Sequence, residues 1–121
     1  MPVLASLTDG RGDVQVVDVR NDGALPDLAA DDTVEVPARI DRDGAHPLRQ
    51  APLSPSQADL VKRVKAFERL AVRAATTGDR AIARAALAAN PLAGGPALAD
   101  ELLDAILAAN RRWLPRFFPD G

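Results

Sequence analysis

The sequence of 121 residues contains no cysteine, and His46 is its only histidine. Without cysteine the chain can form neither a disulfide nor a thiolate metal site. A zinc site needs three or four protein ligands, and a histidine base needs a nucleophile or an orienting acid beside it. The neighbourhood of His46 in the sequence offers neither. We therefore predict no catalytic residue, no metal ligand and no cofactor-binding residue on this chain.

Long hydrophobic runs and a strong excess of one charge are also missing. No apolar segment approaches the ~18 residues that a membrane-spanning helix needs. Residues 1–10 lack the basic stretch and apolar core of a signal peptide. The net charge of -2 is too small to indicate nucleic acid or an anionic membrane as a partner. We expect a cytoplasmic protein that binds neither.

The small net charge hides an uneven distribution along the chain. Residues 1–53 carry 10 acidic and 5 basic side chains, a net charge of -5, whereas residues 54–121 carry 7 and 10, a net charge of +3. Such an asymmetry can steer docking between the two parts or with a partner. We favour the simpler interpretation, a small imbalance of surface charge.

The first part of the chain has the pattern of a small antiparallel β unit. Residues 14–20 are rich in valine and partly alternate, which predicts a half-buried strand. Residues 22–32 contain a glycine, a proline and four aspartates and are predicted to form a loop. A second strand follows at residues 33–38, and the turn sequence at residues 41–44 leads into a third extended piece.

The sequence makes one specific prediction for each of two residues of the second strand. Glu35 lies between two valines and should face away from both, because side chains alternate across a strand. Pro37 cannot donate a hydrogen bond to a neighbouring strand. We therefore predict that this strand lies at an edge of the sheet, or that its regular pairing ends at Pro37.

From Ser54 onward the apolar residues recur with helical spacing. Ser54 and Gln57 occupy the positions of a capping box at the start of a first helix, which Gly78 ends. Asp79 is predicted to cap a second helix that stops at Asn90, before a proline. A third helix is predicted from residue 96 to about residue 113.

These patterns predict an α+β fold in which a small antiparallel β unit precedes three helices. The β unit covers residues 1–53, the helical part residues 54–115 and an aromatic tail residues 116–121. The tail is too short to form a core of its own. We expect it to pack on a helix or on a part of the protein outside this chain.

The order of these segments resembles the C-terminal part of the family 4 glycoside hydrolases, the NAD- and metal-dependent 6-phospho-glycosidases. The resemblance covers nearly the whole chain. It rests on the helical segments at residues 64–71 and 86–92, and on residues 14–48, which read VQVVDVRNDGALPDLAADDTVEVPARIDRDGAHPL. Where the family often has His-Pro-Leu, this chain has Asn90-Pro91-Leu92, which keeps the helix stop but lacks the imidazole.

The resemblance implies a fold similar to the C-terminal domain of lactate and malate dehydrogenases, with the N-terminal Rossmann domain absent. In the family, NAD takes a hydride from C3 of the sugar and a base removes the C2 proton, so that the glycosidic oxygen leaves by elimination. The family is an exception to the two-carboxylate scheme of glycosidases. Its manganese, held by a cysteine and a histidine, and its catalytic tyrosine belong to the missing part, since this chain has neither cysteine nor tyrosine.

The resemblance also implies where a substrate would approach. Residues 21–26 match an Asn-x-Gly loop that would come close to the sugar phosphate, so we select Asn21 and Gly23 as substrate-proximal candidates. The resemblance also favours Glu35, on the strand that follows, as a third candidate. Asn21 could instead hydrogen-bond its own turn, and Glu35 could be a solvated strand residue.

We therefore expect the substrate-pocket and subunit-contact domain of a 6-phospho-β-glucosidase that uses NAD and manganese. Its partners would be the missing Rossmann domain, a phosphorylated sugar and a second copy in a homodimer, and the isolated chain would be inactive. The alternative is a stand-alone module without catalysis that self-associates through open alanine faces. Those faces would be formed by Ala71, Ala74, Ala75, Ala81, Ala85 and Ala88.

Overall fold

The computed structural model describes residues 2–119 and has the predicted α+β fold. The chain divides into two compact units between Pro55 and Ser56. The first unit contains the helix α1 (Pro2–Asp9) and the strands β1 (Asp13–Arg20), β2 (Thr33–Asp41) and β3 (Gly44–Pro47). The second contains the helices α2 (Pro55–Thr77, which begins at the boundary), α3 (Arg80–Ala89) and α4 (Pro96–Ala109), with 3₁₀ turns at Arg111–Trp113 and Pro115–Phe117.

The helix α1 corrects the prediction of three helices, since the described residues contain four α-helices. Its local signals were a proline in its first turn and Gly10 directly after its end, with a positive φ of 69°. The helix is only 8 residues long and is tied to the sheet by buried Ser6. The hydroxyl of Ser6 donates to the carboxylate of Asp13 (2.9 Å) and accepts from the amide of Gln15 (2.8 Å).

The prediction that β2 lies at an edge of the sheet is wrong, whereas its regular pairing with β3 does end next to Pro37, at Ala38. The strand order is β1-β2-β3, so β2 is central, and it pairs with β1 from Thr33 to Ile40. The carbonyl of Pro37 accepts from the N–H of Leu48 (2.9 Å), so the polar groups of Pro37 face the β3 side. The N–H that Pro37 lacks would point toward β3, which already ends at Pro47, so no hydrogen bond of the β2–β3 ladder is lost. The pairing of β2 with β1 does not use this position and is undisturbed.

The inner face of the sheet carries the core of the first unit. Alternate residues of β2 point inward and are almost fully buried, namely Val34, Val36, Ala38 and Ile40. At one end of this face the loop between β1 and β2 packs Ala24, Leu25 and Leu28 against Val34 and Val36. The helix α1 contacts β2 as well. The outward-pointing residues of β2 include Glu35, which is exposed as the alternation predicts.

In the helical unit α3 packs against α4, and Gly78 and Asp79 form the junction between α2 and α3. Asp79 caps α3 as predicted, because its carboxylate accepts from the backbone N–H groups of Ala81 (2.8 Å) and Ile82 (3.0 Å). Gly78 has a φ of 75°, and a Cβ added there would lie 2.0 Å from the carbonyl oxygen of Arg116. Glycine is therefore required at this junction both for its conformation and for the close approach of the tail.

The third predicted helix ends earlier than expected. The helix α4 stops at Ala109 rather than near Trp113, and the chain continues in two 3₁₀ turns. Leu114, which precedes a proline, has a non-helical φ of -121°. These turns bring Phe117 into the core of the helical unit, where it packs with Ala74, Leu103 and Leu107. No helix within residues 2–119 combines the length and apolar character that crossing a membrane requires.

Candidate functional site

The segment between β1 and β2 is held in place by Asn21, the first sequence-selected candidate. Its side chain is fully buried. The amide group donates to the carbonyls of Leu25 (3.0 Å), Leu28 (3.2 Å) and Ala29 (3.0 Å), and its oxygen accepts from the N–H of Leu25 (2.7 Å). Every polar atom of this side chain therefore bonds the backbone of its own loop. The geometry gives Asn21 a positioning role in the loop and leaves its amide no open site for a ligand.

Two aspartates that sequence reasoning did not select complete this framework. Asp32 is almost fully buried, and its carboxylate accepts from the N–H of Ala29 (3.1 Å). Asp27 accepts from the N–H of Leu53 (2.9 Å), which ties the loop to the segment after β3. The signal available in the sequence was a loop unusually rich in aspartate. The pattern alone could not tell which of its aspartates turn inward.

The loop and the segment after β3 together border an open cleft of about 300 Å³. Gly23, the second candidate, lies in its wall with a φ of 87° and has no atom within 4 Å of the position of a Cβ. Arg49 contributes an exposed cation to the same wall. Asp22 also lines the cleft and is paired with Arg20 (2.9 Å). The remaining lining residues are Ala24, Pro26 and Pro47.

Glu35, the third candidate, does not line this cleft. It lies on the outer face of the sheet, directly opposite Asp18 of β1. The structure therefore brings Gly23 and the loop held by Asn21 together, and places Glu35 on a different surface of the first unit.

A second polar cluster lies at the turn between β2 and β3. The carboxylate of Asp41 contacts the Nε2 of His46 (3.0 Å), accepts from the backbone N–H of Asp43 (3.0 Å) and forms an ion pair with Arg39. The hydrogen bond with His46, then that from Asp43, lowers the pKa of Asp41 below its ordinary value of 3.8. The cluster contains no nucleophile, and the geometry gives it a role in holding the turn.

A separate open cleft of about 190 Å³ lies on the helical unit and is lined by apolar residues such as Phe67, Leu103 and Phe117. It has no charged or amide side chain that could bind a phosphorylated sugar. Three of the six alanines expected to form open faces, Ala71, Ala74 and Ala75, also line it. The other three border a cleft between α3 and α4.

The residues described here do not fit a catalytic metal. Within residues 2–119 no group of three or more histidine, cysteine, aspartate or glutamate side chains is arranged to hold a metal ion. The turns of these residues also lack the glycine-rich junction of strand and helix that binds a dinucleotide pyrophosphate.

Comparison with known proteins gives this fold a family context. Residues 1–93 match the family described as the family 4 glycosyl hydrolase C-terminal domain. A probable 6-phospho-beta-glucosidase of Bacillus subtilis is 35% identical over 116 residues, which make up 96% of this chain and 26% of that protein.

Two solved structures are similar to this chain. A 6-phospho-alpha-glucosidase from gut microorganisms, in complex with NAD and glucose-6-phosphate, has a TM-score of 0.89 and 31% identity, covering 94% of this chain and 26% of that one. The 6-phospho-beta glucosidase from Thermotoga maritima, with manganese, NAD+ and glucose-6-phosphate, has a TM-score of 0.86 and 28% identity, covering 93% and 28%. The chain thus spans about a quarter of the length of these relatives.

Proposed function

Because this chain belongs to the family 4 glycosyl hydrolases, as a match to their C-terminal domain, we propose that it serves as the C-terminal domain of a 6-phospho-β-glucosidase. The observation that carries the proposal is the match of 96% of this chain to about a quarter of a relative that bears that name. Activity on phosphorylated glycosides is then a property of the whole enzyme. This chain contributes part of the wall of the substrate pocket and contacts between subunits.

The cleft beside Gly23 is the part of this chain that we assign to the substrate. Its wall combines the exposed guanidinium of Arg49 with a glycine whose surroundings are open. A guanidinium offers several N–H donors to a phosphate or to sugar hydroxyls. Asn21 acts on this site indirectly, because its hydrogen bonds fix the loop that carries Gly23.

NAD and manganese are bound to similar proteins, and we assign both to the part of the enzyme that precedes this chain. Within residues 2–119 no group of three acidic, histidine or cysteine side chains could hold a metal ion, and no glycine-rich turn joins a strand to a helix as dinucleotide binding requires. The isolated chain is therefore expected to lack glycosidase activity, because the hydride acceptor, the Lewis acid and the base would all be supplied from elsewhere.

A chimera tests this proposal directly. The C-terminal segment of the Bacillus subtilis relative that aligns with this chain is replaced by residues 1–121. Release of p-nitrophenol from its 6-phospho-β-glucoside is then measured with NAD and manganese. We expect the chimera to be active, while the isolated chain and the relative truncated before this segment are both inactive.

The unmodified relative serves as the positive control, and the α-anomer of the same substrate tests the anomeric preference. A chimera that folds and binds NAD but cleaves neither anomer would contradict the proposed role. Cleavage by the isolated chain would contradict the assignment of the catalytic groups to the preceding part.

A further inference from the structure

The segment that carries Arg49 to the cleft has no regular secondary structure. Strand β3 ends at Pro47 and α2 begins at Pro55, and the residues between them belong to neither a helix nor a strand. Such a segment has no helix or sheet hydrogen bonds to fix its path. The place of Arg49 in the wall of the cleft therefore depends on individual contacts with the rest of the first unit.

Hydrogen bonds at two positions join this segment to the loop between β1 and β2. The N–H of Gln50, the residue after Arg49, donates to the carbonyl of Ala24 (2.8 Å), which itself lines the cleft. The N–H of Leu53 donates to the carboxylate of Asp27 (2.9 Å). The first bond joins two backbone groups. The second is made by a side chain and therefore depends on the residue type at position 27.

Asp27 acts from outside the cleft. Its side chain is half-buried and is not among the residues that line the wall, whereas Gly23 and Arg49 are. A carboxylate that accepts from a backbone N–H forms a charge-assisted hydrogen bond, which is stronger than a bond between neutral groups. Asp27 therefore influences the cleft through the segment it holds and does not touch a molecule bound there.

We propose that Asp27 is a positioning residue, which holds Arg49 in the same wall as Gly23 and thereby sets the affinity for the phosphorylated sugar. The inference rests on the proposed function, because it requires the substrate to bind in this cleft. A guanidinium recognises a phosphate through paired N–H donors of fixed geometry. Small displacements of a group that positions the substrate have large effects. Since the reacting groups are assigned to the preceding part, the effect should fall on KM.

Steady-state kinetics of the chimera with D27A, R49A and D27A/R49A test the proposal, with p-nitrophenyl 6-phospho-β-glucoside as substrate. We expect KM to rise at least about fivefold in D27A and at least about tenfold in R49A, with kcat within about twofold of the unmodified chimera. The double variant should have the KM of R49A, because Asp27 then has no guanidinium left to position. Arg49 is exposed, so R49A is expected to fold.

Two further variants separate the hydrogen bond from the charge. D27N keeps an oxygen that can accept from the N–H of Leu53, so its KM should stay close to that of the unmodified chimera. D31A removes the same charge from an exposed position of the same loop and should also leave KM unchanged. Circular dichroism verifies that each variant is folded. Hydrogen exchange of the full 121-residue chain should show a faster Leu53 amide in D27A but not in D27N.

The outcomes distinguish this inference from the proposed function. In an active chimera, an unchanged KM in D27A or R49A would overturn the inference and leave the proposed function intact. So would equal effects of D27A and D27N, or effects of D27A and R49A that multiply in the double variant. A folded chimera without activity would contradict the proposed function and remove this inference with it.

Discussion

At the scale of single residues, Asn21 is the position on which the first unit depends most. Replacing it by alanine in N21A removes the buried donor shared by three backbone carbonyls and the buried acceptor of one N–H. Buried polar groups left without partners are costly, so we expect the free energy of unfolding to fall by about 2–4 kcal/mol. Urea denaturation of the full chain, followed by circular dichroism, measures this loss.

The matched control is N110A, because the amide of Asn110 also bonds a backbone carbonyl, that of Ile106 (2.8 Å), but is exposed to solvent. Water can replace that bond, so its loss should cost less than about 1 kcal/mol. Equal effects of the two substitutions would show that Asn21 does not hold the loop as described.

Asp41 gives the fold a defined dependence on pH. Its pKa is lowered in the folded state, first by the hydrogen bond with His46, then by the N–H of Asp43 and the charge of Arg39. A carboxylate with a lowered pKa stabilises the fold above the unfolded-state pKa, and this contribution is lost as the pH falls through the folded-state pKa. We expect D41N to be less stable than wild type at neutral pH, with the difference closing below pH 3.8.

Urea denaturation over a pH series measures this difference, and D43N is the control in the same turn. The contact of Asp43 with Asp41 is through its backbone N–H, which that substitution retains. A stability difference between D41N and wild type that is constant from neutral to acidic pH would contradict the assignment.

At the scale of elements, Pro37 shows that the position of a proline in a strand decides how much stability the fold loses. In P37V the restored N–H points to the β3 side, where the ladder already ends, so we expect a change within about 1 kcal/mol. Val36 precedes it and is buried, and its polar groups point to β1, so V36P should cost more than about 2 kcal/mol. Thermal denaturation of both variants measures the contrast. Comparable losses in both would mean that the register is wrong.

The helix and strand boundaries that the sequence predicted well are those fixed by local chemistry. Gly78 and Asp79 end one helix and cap the next through their own backbone conformation and side chain, so both positions could be predicted. The end of α4 depends on how the following 3₁₀ turns fit Phe117 into the core, and such packing is not visible in a periodicity. The central position of β2 was missed because strand order is a tertiary property.

The features of the candidate site likewise divide into those that local sequence could predict and those that depend on the tertiary structure. Asn21 and Gly23 could be selected because an Asn-x-Gly sequence marks a turn, and the turn is present. The burial of Asn21 could not be predicted, because it arises only when the loop folds back over the side chain. Arg49 and Gly23 line the same cleft because Asp27 ties the loop to the segment after β3, and the sequence does not show this long-range contact. Glu35 was selected from the resemblance, and its association with the substrate stays a prediction.

At the scale of the whole molecule, the resemblance read from the sequence is confirmed by the family match over residues 1–93. The α+β class is confirmed as well, by TM-scores of 0.89 and 0.86 with two 6-phospho-glucosidases. This chain covers only 26% and 28% of the length of these two relatives. Under the proposed function the chemistry is therefore divided between this domain and a larger part. The division predicts that the two parts bind different ligands.

This division can be tested by measuring the thermal stability of the full chain in the presence of NAD, manganese or glucose 6-phosphate. A ligand that binds only the folded state stabilises it by ~2.7 kcal/mol at a hundred times its dissociation constant. We expect no shift with NAD or manganese, because the described residues contain no group of three metal ligands and no dinucleotide-binding turn. The chimera with the Bacillus subtilis relative is the matched control and should shift with both. A shift of the isolated chain with either cofactor would mean that this domain holds a site of its own, and the assignment of both cofactors to the preceding part would fall.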